Sequence, residues 1–154
     1  MIKTSIITLF LLISLSISGC SQSATSVFNK DDIYAQNLQY TKVNKVIINN
    51  EVTAILNATY LNSVNSKKWD NDSQNFILSV YNTIDDKKYT ITLNDKEAQE
   101  IVILDKNSSL YKNIAYRNNW AVYKLYTFKK EDNNTVELKA YNNFGSTTIN
   151  FIKE

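Results

Sequence analysis

Apolar and polar side chains alternate with a period of two along most of this chain. Tyr89, Ile91 and Leu93 alternate with Lys88, Thr90 and Thr92. Val136, Leu138 and Ala140 alternate with Thr135, Glu137 and Lys139, and Thr147, Ile149 and Phe151 with Ser146, Thr148 and Asn150. Val52, Ala54, Leu56, Ala58 and Tyr60 share one strand face. Phe76, Leu78 and Val80 share another, with Ile77 and Tyr81 on its reverse. Trp120, Val122, Tyr126 and Phe128 define a late strand interrupted by Lys124, and Ile101 to Leu104 is a short, fully apolar run. A period of two places successive side chains on opposite faces, one toward a core and one toward water.

The connections carry turn residues. Asn49-Asn50 separates two strand-like runs and suits the left-handed backbone of a tight hairpin. Asp85-Asp86 and Glu131-Asp132-Asn133-Asn134 lie between strands, and Asn142-Asn143-Phe144-Gly145 closes the last hairpin, where Gly145 is expected to supply a positive φ. Asp31 to Asn37 reads as one helical turn or a lead-in, and no segment has the spacing of an amphipathic helix. Ser63 to Gln74 and Asp105 to Asn119 are longer loops. Seven or eight short strands punctuated in this way predict an all-β domain over residues 31–154, a single antiparallel β-sandwich of immunoglobulin-like architecture. A small β-barrel is the alternative. The Cys-Trp-Cys core of true immunoglobulin domains is absent, since the chain has one cysteine, so that comparison is architectural.

The first twenty residues follow a different pattern. Lys3 precedes an apolar segment from Ile6 to Ile17, diluted by Thr8, Ser14 and Ser16, and Ile17-Ser18-Gly19-Cys20 follows, ending in the chain's single cysteine. A membrane span needs about 20 predominantly apolar residues. This run is shorter and hydroxyl-rich, as a secretory signal peptide is. Ile17-Ser18-Gly19-Cys20 resembles the lipobox of bacterial lipoproteins. The resemblance covers residues 1–20 and implies cleavage before Cys20, a diacylglycerol on its thiol and further acylation such as palmitate on its new amino group. Two or more chains anchor a protein stably, since each buried CH₂ contributes about 0.8 kcal/mol. Residues 20–30 then form a lipidated cysteine and polar tether. Ser at position 21, where Asp would favour inner-membrane retention in a two-membrane cell, implies the outer membrane there, and otherwise the outer face of the cell membrane. With Cys20 lipidated no thiol remains, and stability rests on packing and hydrogen bonds.

Composition narrows function mainly by exclusion. The formal charge is +2, and the lysine doublets 67–68, 87–88 and 129–130 are isolated, so the concentrated basic face of a nucleic-acid binder is missing. Histidine is absent. That removes Ser-His-Asp and Cys-His catalysis and histidine-ligated metals. Two glycines, at 19 and 145, cannot build a glycine-rich phosphate loop. Carboxylate pairs remain at 31/32, 70/72, 85/86, 95/97 and 131/132. A glycosidase would need two of them about 5 to 9.5 Å apart across a cleft. At strand ends, such acids read instead as turn formers. Asp70 to Asn75 begins like a calcium loop, but an EF-hand needs Gly and Glu where this chain has Asn75 and Tyr81. No metal or cofactor is expected.

The chain is rich in aromatics, with 10 Tyr, 6 Phe and 2 Trp. Trp69, Tyr111, Tyr116, Arg117 and Trp120 fall in or beside the two long loops. Tyr and Trp offer rigid apolar area with a polar handle, and Arg117, the single arginine, can make planar contacts, so the five form a candidate ligand-binding set. Against this, aromatic rings in β-proteins mostly cover the core, and Trp120 at a strand start is expected to be buried. Asp105-Lys106-Asn107-Ser108-Ser109 and Glu131-Asp132-Asn133-Asn134-Thr135 fit the acid-x-Asn-x-Ser/Thr sequon of some bacterial N-glycosylation systems. The expectation is a membrane-anchored, non-catalytic binding module of the cell envelope with a protein partner. Glycan binding at the cell wall or surface is the alternative.

Overall fold

The computed structural model describes residues 33–70, 72–82 and 88–153. The signal segment, Cys20, the tether and the acid pairs at 31/32 and 85/86 lie outside them. The described chain is a β-sandwich of two antiparallel sheets, not closed into a barrel.

The first sheet is built on β1 (Thr41–Ile48) and β2 (Glu51–Tyr60). Asn49 and Asn50 join them with φ of 51° and 66°, the left-handed pair of a type I′ turn, whose twist matches that of the strands. One register slip, opposite Val46 and Ile47, leaves Thr53 as an extra residue in β2, a bulge that locally bends that strand. Two short helices, α2 (Leu61–Val64) and α3 (Ser66–Trp69), lead to β3 (Ser73–Asn82). β3 pairs with β2 on one side and with β7 (Lys124–Lys129) on the other. β7 pairs in turn with β6 (Glu100–Ile103), which closes the order β1-β2-β3-β7-β6. The second sheet runs β5-β4-β8-β9, from β4 (Thr90–Leu93), β5 (Lys96–Glu97), β8 (Thr135–Tyr141) and β9 (Ser146–Ile152). Periodicity cannot register the two-residue β5. It exists because Asn94 and Asp95, with φ of 48° and 62°, form another left-handed hairpin pair. After β5, Ala98 and Gln99 carry the chain across to the other sheet, where the Gln99 N–H donates to the Thr127 carbonyl at 2.8 Å. A helix, α1 (Ile33–Gln39), precedes β1. The Thr41 hydroxyl donates to the Asn37 carbonyl at 2.5 Å and lies 2.7 Å from the Thr59 hydroxyl.

The inner faces meet in one apolar cluster. Leu56, Ala58 and Tyr60 of β2, Phe76 and Leu78 of β3, Val136 and Leu138 of β8 and Phe151 of β9 belong to it. Phe76 sits at its centre, stacked on Tyr60 at 4.8 Å and edge-on to Phe151 and Phe128 at 5.4 and 6.0 Å. Such pairs add about 0.5–1.5 kcal/mol beyond their burial. A second cluster covers the outer face of β3 and β7. Ile77 there packs with Leu61, Tyr111, Ile114, Ala121 and Tyr123, and Trp69 and Leu125 pack against them. β3 is therefore buried on both faces along Gln74 to Ser79.

Two details differ from the sequence expectation. Gly145 has no positive φ. A Cβ there would lie 3.0 Å from Val46 Cγ1 and 3.1 Å from Ile48 Cγ1, so closeness to β1 is what asks for glycine. Trp120 and Val122 are not part of the late strand, which begins at Lys124. The segment before it folds as a compact loop instead.

Candidate binding surface

The sheet edges are finished in different ways. Along β1, Lys42 Nζ donates to the Asn150 carbonyl at 2.7 Å and Asn44 Nδ2 to the Thr148 carbonyl at 2.8 Å. Both acceptors are on β9, so the two side chains tie the edges of opposite sheets together. Lys42 also lies over the Phe151 ring, 5.2 Å from its centroid. Inward-pointing polar side chains of this kind block pairing with foreign strands. β5 has two residues, and its Lys96 ammonium is 2.6 Å from the Glu131 carboxylate.

β6 has no such cover among the described residues. It pairs with β7 alone, and all four of its residues are exposed. Ile101 is 53% exposed and Ile103 67%. Ile101 opposes Tyr126 and Ile103 opposes Lys124, so both isoleucines lie on the core-side face, beyond the second sheet's reach. Just past β6, the Leu104 N–H donates to the Tyr123 carbonyl at 2.9 Å. Hydrogen-bonded pairs alternate along an antiparallel ladder. The main-chain groups of Val102 therefore face β7, and those of Ile101 and Ile103 face outward.

The loop from Asp105 to Tyr123 adjoins this edge. Its first turn is held by Asp105, whose carboxylate accepts the Asn107 N–H at 2.9 Å. The Ser108 hydroxyl then caps α4 (Ser109–Lys112), accepting the Tyr111 N–H at 3.2 Å. α4 delivers Tyr111 inward, edge-on to Tyr123 at 5.8 Å. The backbone reverses at Tyr116 with φ 54°. Arg117 folds back over the Tyr111 ring, its guanidinium carbon 5.2 Å from the centroid and Nη1 3.5 Å from the Tyr111 carbonyl. The Asn118 N–H donates to the Tyr123 hydroxyl at 2.8 Å, and the Asn118 side chain accepts the Trp120 N–H at 2.9 Å. That turn holds Trp120 outward, 84% exposed, contrary to the burial expected of a strand-start tryptophan.

The five candidate residues thus divide. Tyr111 is core to the second cluster and Trp69 packs against it. The Trp69 carbonyl accepts Asn62 Nδ2 at 2.8 Å, and Lys68 covers its ring. Arg117 is engaged with Tyr111. Tyr116, 64% exposed, and Trp120 are the rings that reach solvent. Sequence reasoning did not select Ile101, Val102 and Ile103. The three consecutive β-branched residues were visible, but their position at an edge depends on pairing partners distant in sequence.

Among the described acid pairs, Asp70, Asp95 and Glu131 lie within ion-pair distance of lysines. Asp70 lies 2.6 Å from Lys130 Nζ, and the Lys130 N–H donates to the Asp72 carbonyl at 3.2 Å. The hydrogen bond to Asp70 raises the Lys130 pKa, and the carboxylate's charge adds to the effect. Glu131 accepts from Lys96 and, at 2.5 Å, from Asn94 Nδ2. These hydrogen bonds, Lys96 first, hold its carboxyl below its usual pKa. Asp95 is 3.8 Å from Lys139. In the loop considered for calcium, Asn75 is buried in an amide network, accepting from Thr127 Oγ1 at 3.2 Å and donating to Ser73 Oγ at 2.9 Å. Among the described residues, no three acidic side chains converge as metal ligands. Asn107 and Asn133 are exposed, in the turn before α4 and in the β7–β8 connection. Comparison with family models, with curated proteins and with solved structures finds no match.

Proposed function

We propose that this chain is an extracytoplasmic lipoprotein, held to a membrane through lipid on Cys20, whose sandwich acts as a non-catalytic binding module for an envelope protein. The lipobox resemblance of Ile17-Ser18-Gly19-Cys20 supports the anchor. One observation carries the binding role: among the described residues β6 pairs with β7 alone, leaving an open strand edge beside exposed Ile101, Val102 and Ile103. An extended segment of a partner adds to such an edge by β-augmentation, main-chain bonds giving affinity and alternate side chains giving specificity. A membrane-bound partner would meet the edge at raised effective concentration, since the tether confines both.

Glycan binding is the second reading, favoured by the outward setting of Trp120 and Tyr116. It now rests on those two rings rather than on five residues.

Fractionation and mass spectrometry of the native chain test the proposal. It is expected in the membrane fraction, with a diacylglyceryl adduct on Cys20, and Cys20→Ala is expected to lose the adduct. Detergent extracts are expected to retain one dominant protein. Recovery as a soluble, unacylated chain contradicts the anchor. Retention of wall or surface sugars that Trp120→Ala abolishes, with no protein retained, moves the role to glycans.

A further inference from the structure

We infer that β6 pairs with β6 of a second copy of this chain, antiparallel about a two-fold axis through Val102. The inference deepens the binding reading and rests on it, because the pairing is short and gains from confinement to a common membrane.

The register follows from which main-chain groups β7 leaves unbonded among the described residues. The outward-facing main-chain groups belong to Ile101 and Ile103, since the Leu104–Tyr123 bond fixes Val102 as a residue paired with β7. A strand added to this edge must bond through Ile101 and Ile103. If it is another β6, a two-fold axis at Val102 sets Ile101 against Ile103 of the second copy. Ile103 then meets that copy's Ile101, so both bonding positions are used on each strand. The sequence is a palindrome about the same point, Ile101-Val102-Ile103. Isoleucine therefore meets isoleucine on the core-side face and valine meets valine on the outer face. β-Branched pairs of this kind favour a sheet. Glu100, the one charged residue of the strand, faces Leu104 rather than its own counterpart, so no like charges oppose each other.

The other edges are unsuited to this. Lys42 and Asn44 occupy the gap between β1 and β9, and β5 offers two charged residues. Two five-stranded sheets would join through β6 into one continuous sheet. Four residues a side fall short of the roughly 800 Å² per partner of a standard stable interface. The pair is therefore expected to be weak in dilute solution and populated where copies share a membrane.

Cysteine crosslinking of the full chain in its native membrane tests the pairing. Across the axis the two Val102 residues form a non-hydrogen-bonded pair, with Cα atoms about 4.5 Å apart, within disulfide range. Val102→Cys is expected to give at least about tenfold more disulfide-linked dimer than the parent chain or than Ile152→Cys on β9. Ile101→Cys and Ile103→Cys are expected to link to each other when co-expressed. Adding Ile103→Lys to Val102→Cys is expected to suppress the dimer, because an edge lysine opposes strand pairing. A Val102→Cys chain that stays monomeric while its thiol reacts with an added maleimide overturns the inference. So does a disulfide to a different protein, although that result leaves the binding module intact. Partition of the chain between membrane and soluble fractions, read on the same samples, separates failure of the anchor from failure of the pairing.

Discussion

Gln74 illustrates how a single side chain can sit against the chemistry around it. It opposes Phe128 in the β3–β7 ladder, on the same face as Phe76, and is 1% exposed. Among the described residues, neither polar atom of its side chain has a hydrogen-bond partner. A buried amide without partners forfeits its solvation, at about 1–3 kcal/mol. Gln74→Leu has similar bulk and no polar atom to satisfy, and is expected to raise unfolding stability by about 1–2 kcal/mol in chemical denaturation. A loss of stability would contradict the assignment of Gln74 as an unsatisfied group. Asn62 shows the opposite arrangement. Its amide donates to the Trp69 and Ser73 carbonyls, both at 2.8 Å, and accepts the Asn75 N–H at 2.8 Å. It holds the α2–α3 corner to β3. Gln74 ends the stretch, Ser63 to Gln74, that the sequence presents as a longer loop, and Asn62 adjoins it; composition does not distinguish a buried amide from a solvated one.

Among the elements, the hairpins were the most legible. Asn49-Asn50 names its own turn type, and β8, β9 and the part of β2 beyond Thr53 follow the alternation, with Leu56, Leu138 and Phe151 all inward. The late strand was misjudged because Trp120 and Val122 continue the period of β7 across a loop that the Asn118 and Tyr123 hydrogen bonds turn outward. Periodicity records spacing and not pairing. For the same reason it could not place Ile101 to Ile103 on an edge. One end of the second sheet depends on a carboxylate. Glu131 bonds Asn94 in the β4–β5 turn, and the Asn94 side chain in turn accepts the Glu137 N–H at 2.8 Å. The Glu131 carbonyl accepts from Lys153 Nζ. The folded-state pKa of Glu131 is depressed below its unfolded value. Its contribution is therefore present above the unfolded value of about 4.3 and disappears as pH falls through the lower folded value. Glu131→Gln is expected to lower stability at pH 7 and to flatten the acid limb of the stability–pH profile. An unchanged acid limb would show that the cluster contributes nothing to folding.

For the molecule as a whole, the two open ends of each sheet are not equivalent. The β1 and β9 edges are laced to each other by Lys42 and Asn44, and the opposite side leaves β6 exposed beside the loop that carries Trp120. The proposed binding runs through this side of the sandwich. Lysine-directed crosslinking in intact cells, with the linked sites mapped by mass spectrometry, tests it most directly. Lys106 and Lys124 border β6, whereas Lys42 and Lys45 lie on β1. Protein adducts, to a second copy or to another envelope protein, are expected to concentrate at Lys106 and Lys124. Adducts concentrated at Lys45 of β1, with none at Lys106 or Lys124, would contradict that binding.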